Sequence, residues 1–276
     1  MVFADLNLAR RLERAEGHAC KGFAEARKRL DPDSASAWIE CAGAYAVFDG
    51  ADSPVTQTFG LGLFEEPSAE AMDQIERFFL DRGAAAMHEV SPLAGVATMD
   101  LLCARGYRPL EISSVLYQPV LDWPAEDAGA ITVRVIGSEE AALWAKISAR
   151  GWAHDHPELQ GFLEQFGALV AAREDSVCFL AEVDGQAGCA GVLCLHEGVA
   201  LFGGASTVPE MRRRGLQSAL LQARKRYAFE HGCDLLMMVT EVGSQSQRNA
   251  ERTGFRIAYT RMKWRLAAAA SETGKA

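Results

Sequence analysis

Three consecutive arginines, Arg212–Arg214, and the glycine after them, Gly215, have the residue types and spacing of an anion site. The apolar run VALFGGASTV (199–208) precedes them and predicts a strand. The residues after them predict a helix, because apolar side chains recur along one helical face at Leu216, Ala219, Leu220, Ala223 and Tyr227. The first N–H groups of a helix have no partner within the helix, and the helix dipole adds about half a positive charge there. Glycine lets that backbone approach a bulky anion, so the pattern predicts a phosphate site.

The spacing differs from the GxxxxGK[ST] loop of nucleotide hydrolysis, and the sequence contains no GxGxxG dinucleotide motif. Arg212-x-x-Gly215-x-Gln217 instead resembles the (Gln/Arg)-x-x-Gly-x-(Gly/Ala) turn of the GNAT superfamily, the acyl-CoA-dependent N-acyltransferases. One departure is visible, since Gln217 stands where Gly or Ala is usual. A basic surface turn without a ligand is the alternative interpretation of these six residues alone.

The resemblance implies that acetyl-CoA is the co-substrate. In the family the turn holds the pyrophosphate, and a backbone N–H on the strand before it, splayed from its neighbour, polarises the thioester carbonyl. Donors fixed where charge develops usually supply the larger part of such catalysis. Gly203 and Gly204 would ease the distortion of that strand. The residues that the resemblance assigns to acetyl-CoA are Ser206, Thr207, Val208, Arg212, Arg213, Arg214, Gly215, Leu216, Gln217, Ser218, Ser246 and Asn249.

The group that protonates the departing sulfur is less well specified. Members of the family commonly carry a tyrosine four residues before the Gly-Phe that ends the last helix, and Ala250 stands there in this sequence. Ser246 and Asn249 on the same predicted helix resemble polar contacts that some members make to the CoA thiol, and Tyr259 in the predicted last strand is a candidate substitute. A CoA thiolate can leave with hydrogen bonding or water alone. The absence of tyrosine at this position therefore weakens the assignment of a general acid more than it weakens the prediction that the protein is an enzyme.

Glu241 is the candidate general base, because it follows the predicted strand DLLMMVT (234–240) at the end where the acyl group should arrive. Capping of the next helix is the alternative role for this side chain. The segment GWAHDHPE (151–158) corresponds to the part of the family fold that lines the acceptor site. The His-Asp-His spacing there lacks a third ligand, so no metal site is predicted. The acceptor-binding candidates are Trp152, His154, Asp155 and His156.

Composition bounds the remaining possibilities. The chain has 276 residues and a formal net charge of −9, which argues against a nucleic acid or an anionic membrane as the main partner. Seven scattered cysteines without a C-x-x-C pair indicate neither a disulfide framework nor a zinc site. The sequence shows no signal-peptide pattern and no apolar run long enough to span a membrane, so we expect a cytoplasmic protein.

The order of predicted elements over 131–266 is β-α-α-β-β-β-α-β-α-β, which is the order of the GNAT fold. We therefore expect an α/β fold with mixed sheets flanked by helices. In the first half, the patterns predict a helix through residues 8–30, a shorter helix around 35–41, and strands over 44–49 and 55–64. Ser68 is the expected N-cap of a helix that ends at Gly83.

Two passages, 78–120 and 228–266, align with each other. Each contains a helix, a glycine, a strand, a second helix, a Gly-aromatic-Arg stop and a long strand, so the chain is expected to be a tandem of GNAT-like units. In the first copy the segment matching the phosphate turn has no arginine and carries Glu65, Glu66 and Glu70, which would repel CoA. An unrelated α/β domain is the alternative for this half. The expected divisions are a degenerate unit that shapes the acceptor site (1–120), a linker (121–130), a catalytic domain (131–266) and a frayed tail (267–276).

The sequence thus predicts an N-acetyltransferase that moves an acetyl group from acetyl-CoA to a small amine by direct transfer in a ternary complex. A CoA-binding module with little catalysis is a second hypothesis, which Ala250 favours. A protein or peptide N-terminal acetyltransferase is a third, and it would need a groove open at both ends.

Overall fold

The computed structural model describes residues 2–120, 130–154 and 157–267. The helices are α1 (Leu6–Leu30), α2 (Ala69–Leu80), α3 (Gly95–Ala104), α4 (Ala141–Trp152), α5 (Gln160–Ala171), α6 (Leu216–Glu230) and α7 (Gln245–Arg252). The strands are β1 (Ala37–Cys41), β2 (Ala44–Phe48), β3 (Gln57–Phe59), β4 (Met87–Val90), β5 (Tyr107–Pro119), β6 (Ile131–Val135), β7 (Ser176–Val183), β8 (Gln186–His196), β9 (Val199–Thr207), β10 (Leu235–Glu241) and β11 (Arg256–Leu266). We call residues 2–120 the first unit and residues 130–267 the second unit.

All the strands form one mixed sheet of eleven strands in the order β1-β2-β3-β4-β11-β5-β10-β9-β8-β7-β6. Two neighbouring pairs are parallel, β3 with β4 and β9 with β10, and these pairs occupy equivalent places in the two units. The other neighbours are antiparallel. The predicted fold class is confirmed, and the two units share a single sheet.

The last strands of the two units are exchanged. β5, which ends the first unit, lies between β10 and β11, and β11, which ends the second unit, lies between β4 and β5. β10 pairs with β5 over its whole length, Leu235–Glu241, and β11 pairs with β4 over Met262–Arg265. Each unit therefore completes its sheet with a strand from the other.

The predicted repeat is visible in matching local structure. In each unit a strand, a helix and a long strand follow one another, as β4-α3-β5 and as β10-α7-β11. After the first strand of each set, a serine accepts a hydrogen bond from a backbone N–H: Ser91 from Leu93, at the 3-10 turn before α3, and Ser244 from Gln247, at the start of α7. The tandem arrangement that the sequence predicted is confirmed.

One predicted helix is wrong. Residues 37–41 form β1, which pairs with β2 as a hairpin. Ala42 and Gly43 connect the two strands with positive φ angles of 49° and 72°, the conformation that favours a two-residue hairpin turn. Trp38 packs edge-on against Tyr45 at 5.8 Å between ring centroids, so cross-strand packing decides in favour of the strand.

The second predicted strand, 55–64, is much shorter than expected, because only Gln57–Phe59 pairs as β3. Gly60 and Gly62 have φ angles of 82° and 77° and turn the chain out of the sheet. The helix predicted after Ser68 is confirmed as α2, and the Ser68 hydroxyl accepts a hydrogen bond from the Ala71 N–H.

The expected linker and tail lie almost wholly outside the described residues, since 121–129 and 268–276 are not among them. The division into a first and a second unit stays a prediction.

Helices cover both faces of the second unit's sheet. Adjacent residues of a strand face opposite sides. In β8, Gly191 lies against Leu220 and Arg224 of α6, whereas Val192 lines a cavity with residues of α1, α4 and α5. Helix α1 therefore crosses from the first unit onto the same face as α4 and α5.

Among the described residues, no helix combines the length and apolarity that crossing a membrane requires, and no three His, Cys, Asp or Glu side chains are grouped as metal ligands.

The exchange of strands generates a prediction about the two units as separate chains. We expect a chain cut within 121–129 to give two fragments that fold only together, because each fragment alone would leave buried strand edges without hydrogen-bond partners. Co-expressed fragments should co-purify as one-to-one pairs in size-exclusion chromatography. Either fragment expressed alone should be aggregated or show no cooperative thermal transition. A second fragment that unfolded cooperatively by itself would contradict the prediction.

Candidate active site

A cleft opens where the two central strands of the second unit part. β9 and β10 pair from Val199 and Leu235 up to Phe202 and Met238. Both strands continue within the described residues, β9 to Thr207 and β10 to Glu241, without further pairing between them. Backbone groups on the facing edges are thus open to a ligand, which can bind as an added strand does.

A bulge bends β9 at the start of the cleft. Ala190 of β8 pairs with Ser206 of β9, and Val192 pairs with Gly203. One residue of β8 therefore lies opposite two residues of β9, so β9 is the bulged strand. Gly204 has a φ angle of 55°, which favours glycine. The bend directs the rest of β9 away from β10.

The guanidinium of Arg224, on α6, holds this bend. Its Nη1 donates to the carbonyl oxygens of Val192 at 3.1 Å and Gly203 at 3.2 Å. The side chain is buried, no carboxylate in the described part of the chain pairs with it, and its Nε has no hydrogen-bond partner there. Burial lowers its pKa to about 10. The floor of the cleft therefore carries a positive charge without a counter-ion.

The predicted phosphate turn connects β9 to α6 at one end of the cleft. Arg213 and Gly215 have φ angles of 63° and 85°, so successive backbone N–H groups turn into a concave surface. Gly215 is the N-cap residue of α6, and no side chain caps the first N–H groups of this helix. The Arg212 guanidinium donates to the carbonyls of Thr207 at 3.3 Å and Gly151 at 3.2 Å, which ties the turn to β9 and α4. An arrangement of this kind can hold an anion.

The corresponding helix start in the first unit is already satisfied. The Ser68 hydroxyl occupies the N-terminus of α2 by accepting from the Ala71 N–H at 3.2 Å. Glu70 lies in the first turn of that helix, and its pKa is lowered by a hydrogen bond to its own backbone N–H and one from Ser68. This helix start therefore has no place for a phosphate, in keeping with the predicted degeneracy of the first unit.

The cleft has a volume of about 810 Å³, and most residues that the resemblance assigned to acetyl-CoA line it. They are Ser206, Thr207, Arg212, Arg213, Gly215, Leu216, Gln217, Ser218, Ser246 and Asn249. Two others lie outside the cleft lining. The Val208 N–H donates to the carbonyl of Gly188 at 2.9 Å and its side chain is buried, while Arg214 pairs with Asp184 at 3.0 Å.

The three predicted catalytic residues do not lie together. Asn249 lines the cleft from α7 and accepts a hydrogen bond from the Gln245 amide at 2.8 Å. Glu241 is exposed at the end of β10 and is not part of the cleft lining. Tyr259 lies on β11, buried, and donates to Glu13 at 2.9 Å. Burial raises the Tyr259 pKa well above its usual value, so this phenol serves the packing between the units.

Of the acceptor-binding candidates, Trp152 lines the cleft at the end of α4. His154 is not part of the lining, and Asp155 and His156 lie outside the described residues. Arg224 was not among the predicted site residues. One signal was present, since Leu216, Leu220 and Arg224 are spaced by four residues, which places this arginine on the buried face of α6.

Comparison with known proteins agrees with this geometry. Residues 139–255 match the model of the Acetyltransferase (GNAT) family. No curated protein sequence matches the chain. The fold is similar to that of the GCN5-related N-acetyltransferase from Kribbella flavida, with 17% identity, a TM-score of 0.65, and coverage of 95% of this chain and 96% of that one.

Two further solved structures share the fold. A tandem GNAT protein from the clavulanic acid biosynthesis pathway has 13% identity and a TM-score of 0.58, with coverage of 97% of this chain and 98% of that one. The GCN5-related N-acetyltransferase from Sphaerobacter thermophilus has 15% identity and a TM-score of 0.53, with coverage of 90% and 92%. Residues 139–255 therefore form a domain of the Acetyltransferase (GNAT) family, and the chain as a whole has a fold similar to that of tandem GNAT proteins.

Proposed function

We propose that the protein is an N-acetyltransferase that moves the acetyl group of acetyl-CoA to the amine of a small molecule in a ternary complex. One observation carries this proposal. The opening between β9 and β10 is continuous with the uncapped N-terminus of α6, so one elongated ligand with a phosphate group can occupy both.

The residues of the cleft fit coenzyme A. The first N–H groups of α6 face the cleft together with the guanidinium groups of Arg212 and Arg213, and they suit a pyrophosphate. A Cβ at Gly215 would lie 3.3 Å from Ile131, and the φ angle of 85° disfavours any other residue there. The unpaired edges of β9 and β10 suit the amide groups of a pantetheine arm.

The reaction forms a C–N bond and breaks the C–S bond of the thioester. An ammonium acceptor gives up one proton before its nitrogen attacks the carbonyl carbon and a second one as the amide forms. One of these protons ends on the CoA thiol, and the other passes to solvent. The family resemblance assigns the backbone N–H that polarises the carbonyl to the stretch Ser206–Val208. The Val208 N–H already donates to the carbonyl of Gly188, so Ser206 and Thr207 are the candidates.

Around the thiol, Ser246 and Asn249 are the hydrogen-bonding side chains of α7 that line the cleft. Ala250 lines it too, in the place where the family commonly has its tyrosine. The positive charge of Arg224 beneath Gly203 would favour the developing thiolate. Glu241 stays a hypothesis for the base, acting through water.

The shape of the site favours a small acceptor over a peptide. Helix α1 of the first unit covers the sheet face beside α4 and α5, and the three helices wall a cavity next to the cleft. A peptide substrate would need a groove open at both ends. A CoA-binding module without catalysis remains the second candidate function, because Ala250 replaces the usual acid and Glu241 lies outside the cleft lining.

Calorimetric titration with acetyl-CoA and with free CoA is the first test of this proposal. We expect both to bind with micromolar dissociation constants, and we expect free thiol to appear when acetyl-CoA and an amine acceptor are supplied together. Binding without thiol release for any of a broad panel of amines would select the non-catalytic module. Absence of binding to either ligand would overturn both functions.

Substitution of Gly215 by valine should abolish detectable CoA binding, because a β-branched residue resists the positive φ angle and crowds Ile131. The matched control is Gly232→Val. Gly232 also has a positive φ angle, 74°, but it follows α6 at the opposite end and has open space around it. Each left-handed residue should cost roughly 1–2 kcal/mol of stability. Equal CoA affinities in the two variants, measured by calorimetry, would contradict our position for the pyrophosphate.

Substitution of Arg224 by methionine should weaken CoA binding by about tenfold or more, because its hydrogen bonds to Val192 and Gly203 hold the bend that opens the cleft. A hydrogen bond from a charged donor contributes roughly 1.5–3 kcal/mol. The change keeps the buried volume but leaves both carbonyls without this donor, so the melting temperature should also fall. Lys225→Met is the control, because Lys225 is a buried cation on the same helix outside the cleft lining. A larger loss of CoA affinity in Lys225→Met than in Arg224→Met would refute this role.

A further inference from the structure

A second cavity, of about 360 Å³, adjoins the cleft at the point where β9 and β10 part. Helix α1 of the first unit and helices α4 and α5 of the second unit form its walls. Trp152, Gly203, Gly204 and Val239 border both spaces. A molecule bound in the cavity therefore lies beside the parting strands, where a pantetheine arm would present its acyl group.

Most of the cavity wall is aromatic or aliphatic. Phe23 of α1 and Phe166 of α5 stack at 4.9 Å between ring centroids. Trp144 is fully buried, and its indole N–H already donates to the carbonyl of Phe179 at 3.0 Å. A hydrocarbon chain or an aromatic ring fits such a surface. A polyhydroxylated molecule would lose hydrogen bonds to water on entering and would find few partners.

Glu16 contributes a carboxylate to the wall of this cavity, from the same face of α1 as Phe23. Its side chain is 13% exposed. Both carboxylate oxygens accept hydrogen bonds from Arg261, at 2.5 and 2.8 Å. Phe23 follows Glu16 by seven residues, or two helical turns, so the two side chains start roughly 10 Å apart along the cavity.

The carboxylates around Arg261 outnumber the cations. Arg261 also lies 2.9 Å from Glu13 and 3.1 Å from Glu89, and Lys263 lies 3.5 Å from Glu89. Burial raises the pKa of Glu13 to about 7, so protonation of this group relieves part of the repulsion. With Glu13 protonated, the carboxylates of Glu16 and Glu89 balance the cations of Arg261 and Lys263. Each Glu16 oxygen accepts one hydrogen bond from Arg261, so each keeps a lone pair that an ammonium group can use.

The opposite edge of the cavity is formed by an ion pair that presents its cation. Arg173 borders it and forms two hydrogen bonds with Asp175, at 3.0 and 2.6 Å. The Arg173 guanidinium lies over the Phe23 ring, 4.3 Å from its centroid. The cavity thus offers carboxylate oxygens at Glu16 and an aromatic surface around Phe23.

We propose that this cavity binds the acceptor, that the acceptor is a primary amine with an aromatic or bulky apolar body, and that Glu16 of the first unit receives its ammonium group. This inference rests on the proposed acetyltransferase function. Glu16 is a specificity-determining residue that holds the amine beside the thioester, and the body of the acceptor extends toward Phe23 and Phe166. The first unit thereby supplies the polar contact that selects the substrate.

A long acyl chain is the competing occupant, since it would also enter the cavity from the cleft. The charge at Glu16 argues for the amine, because a hydrocarbon chain gains nothing from a carboxylate and would cover it from water. The experiment therefore includes octanoyl-CoA.

Binding of 2-phenylethylamine to the full-length protein saturated with CoA tests the proposal, with 2-phenylethanol as the uncharged analogue. We expect the amine to bind at least tenfold more tightly than the alcohol. Glu16→Gln, which keeps a hydrogen-bond acceptor for Arg261, should weaken amine binding at least tenfold and leave alcohol binding within twofold. Glu25→Gln removes the same charge from α1 outside the cavity lining and should change neither. The amine and alcohol comparison on the unaltered protein decides the matter if Glu16→Gln fails to fold.

Three results would overturn the proposal: equal affinities for amine and alcohol, unchanged amine binding in Glu16→Gln, or tighter binding of spermidine or glucosamine than of 2-phenylethylamine. Faster thioester cleavage with octanoyl-CoA than with acetyl-CoA, without amine binding, would assign the cavity to the acyl chain. The amine titration is repeated without CoA, so that a protein unable to bind CoA still reports on the cavity. Failure of the acetyltransferase function is thereby distinguished from failure of this inference.

Discussion

The cleft depends on the hydrogen bonds between β10 and β5. A strand inside a sheet needs partners along both edges, and an unpaired buried backbone group is costly. β10 separates from β9 after Met238, yet it keeps its other edge paired with β5 as far as Glu241. Because β5 belongs to the first unit, the opening in the second unit is held by the first. The first unit is thus part of the cleft's framework even though its own corresponding helix start, at α2, is capped by Ser68.

Buried charges cross the same boundary between the units. Arg261 on β11 contacts Glu13 and Glu16 of α1 and Glu89 of β4, so one guanidinium of the second unit binds three carboxylates of the first. Removing one partner of such a buried pair typically costs about 3–5 kcal/mol, because a charge stays buried without compensation. The network also favours a single register of the exchanged strands, since a shift by one residue would turn Arg261 to the other face. The same contacts hold Glu16 at the acceptor cavity.

Only a few residues distinguish the start of α2, which is capped by a side chain, from the start of α6, which is not. At the start of α2, a serine hydroxyl takes the N–H group that an anion would need, and the first turn carries Glu70. At the start of α6, Gly215 has no side chain to do so, and Arg212 and Arg213 lie beside the free N–H groups. The same backbone electrostatics therefore stabilise a capped helix start in one unit and leave an uncapped helix start, suited to an anion, in the other.

The sequence by itself determined the turn between β9 and α6 and the order of elements in the second half, because helix starts, positive φ angles at glycine and apolar periodicity are local properties of the chain. Local patterns did not separate the hairpin at Ala42–Gly43 from a helix, since packing of Trp38 on Tyr45 decides it. They also could not show the exchange of β5 and β11, which have equivalent patterns and differ only in their partners. Only the tertiary structure places Glu16 beside the cleft, because that contact joins residues from both units and depends on which strands pair.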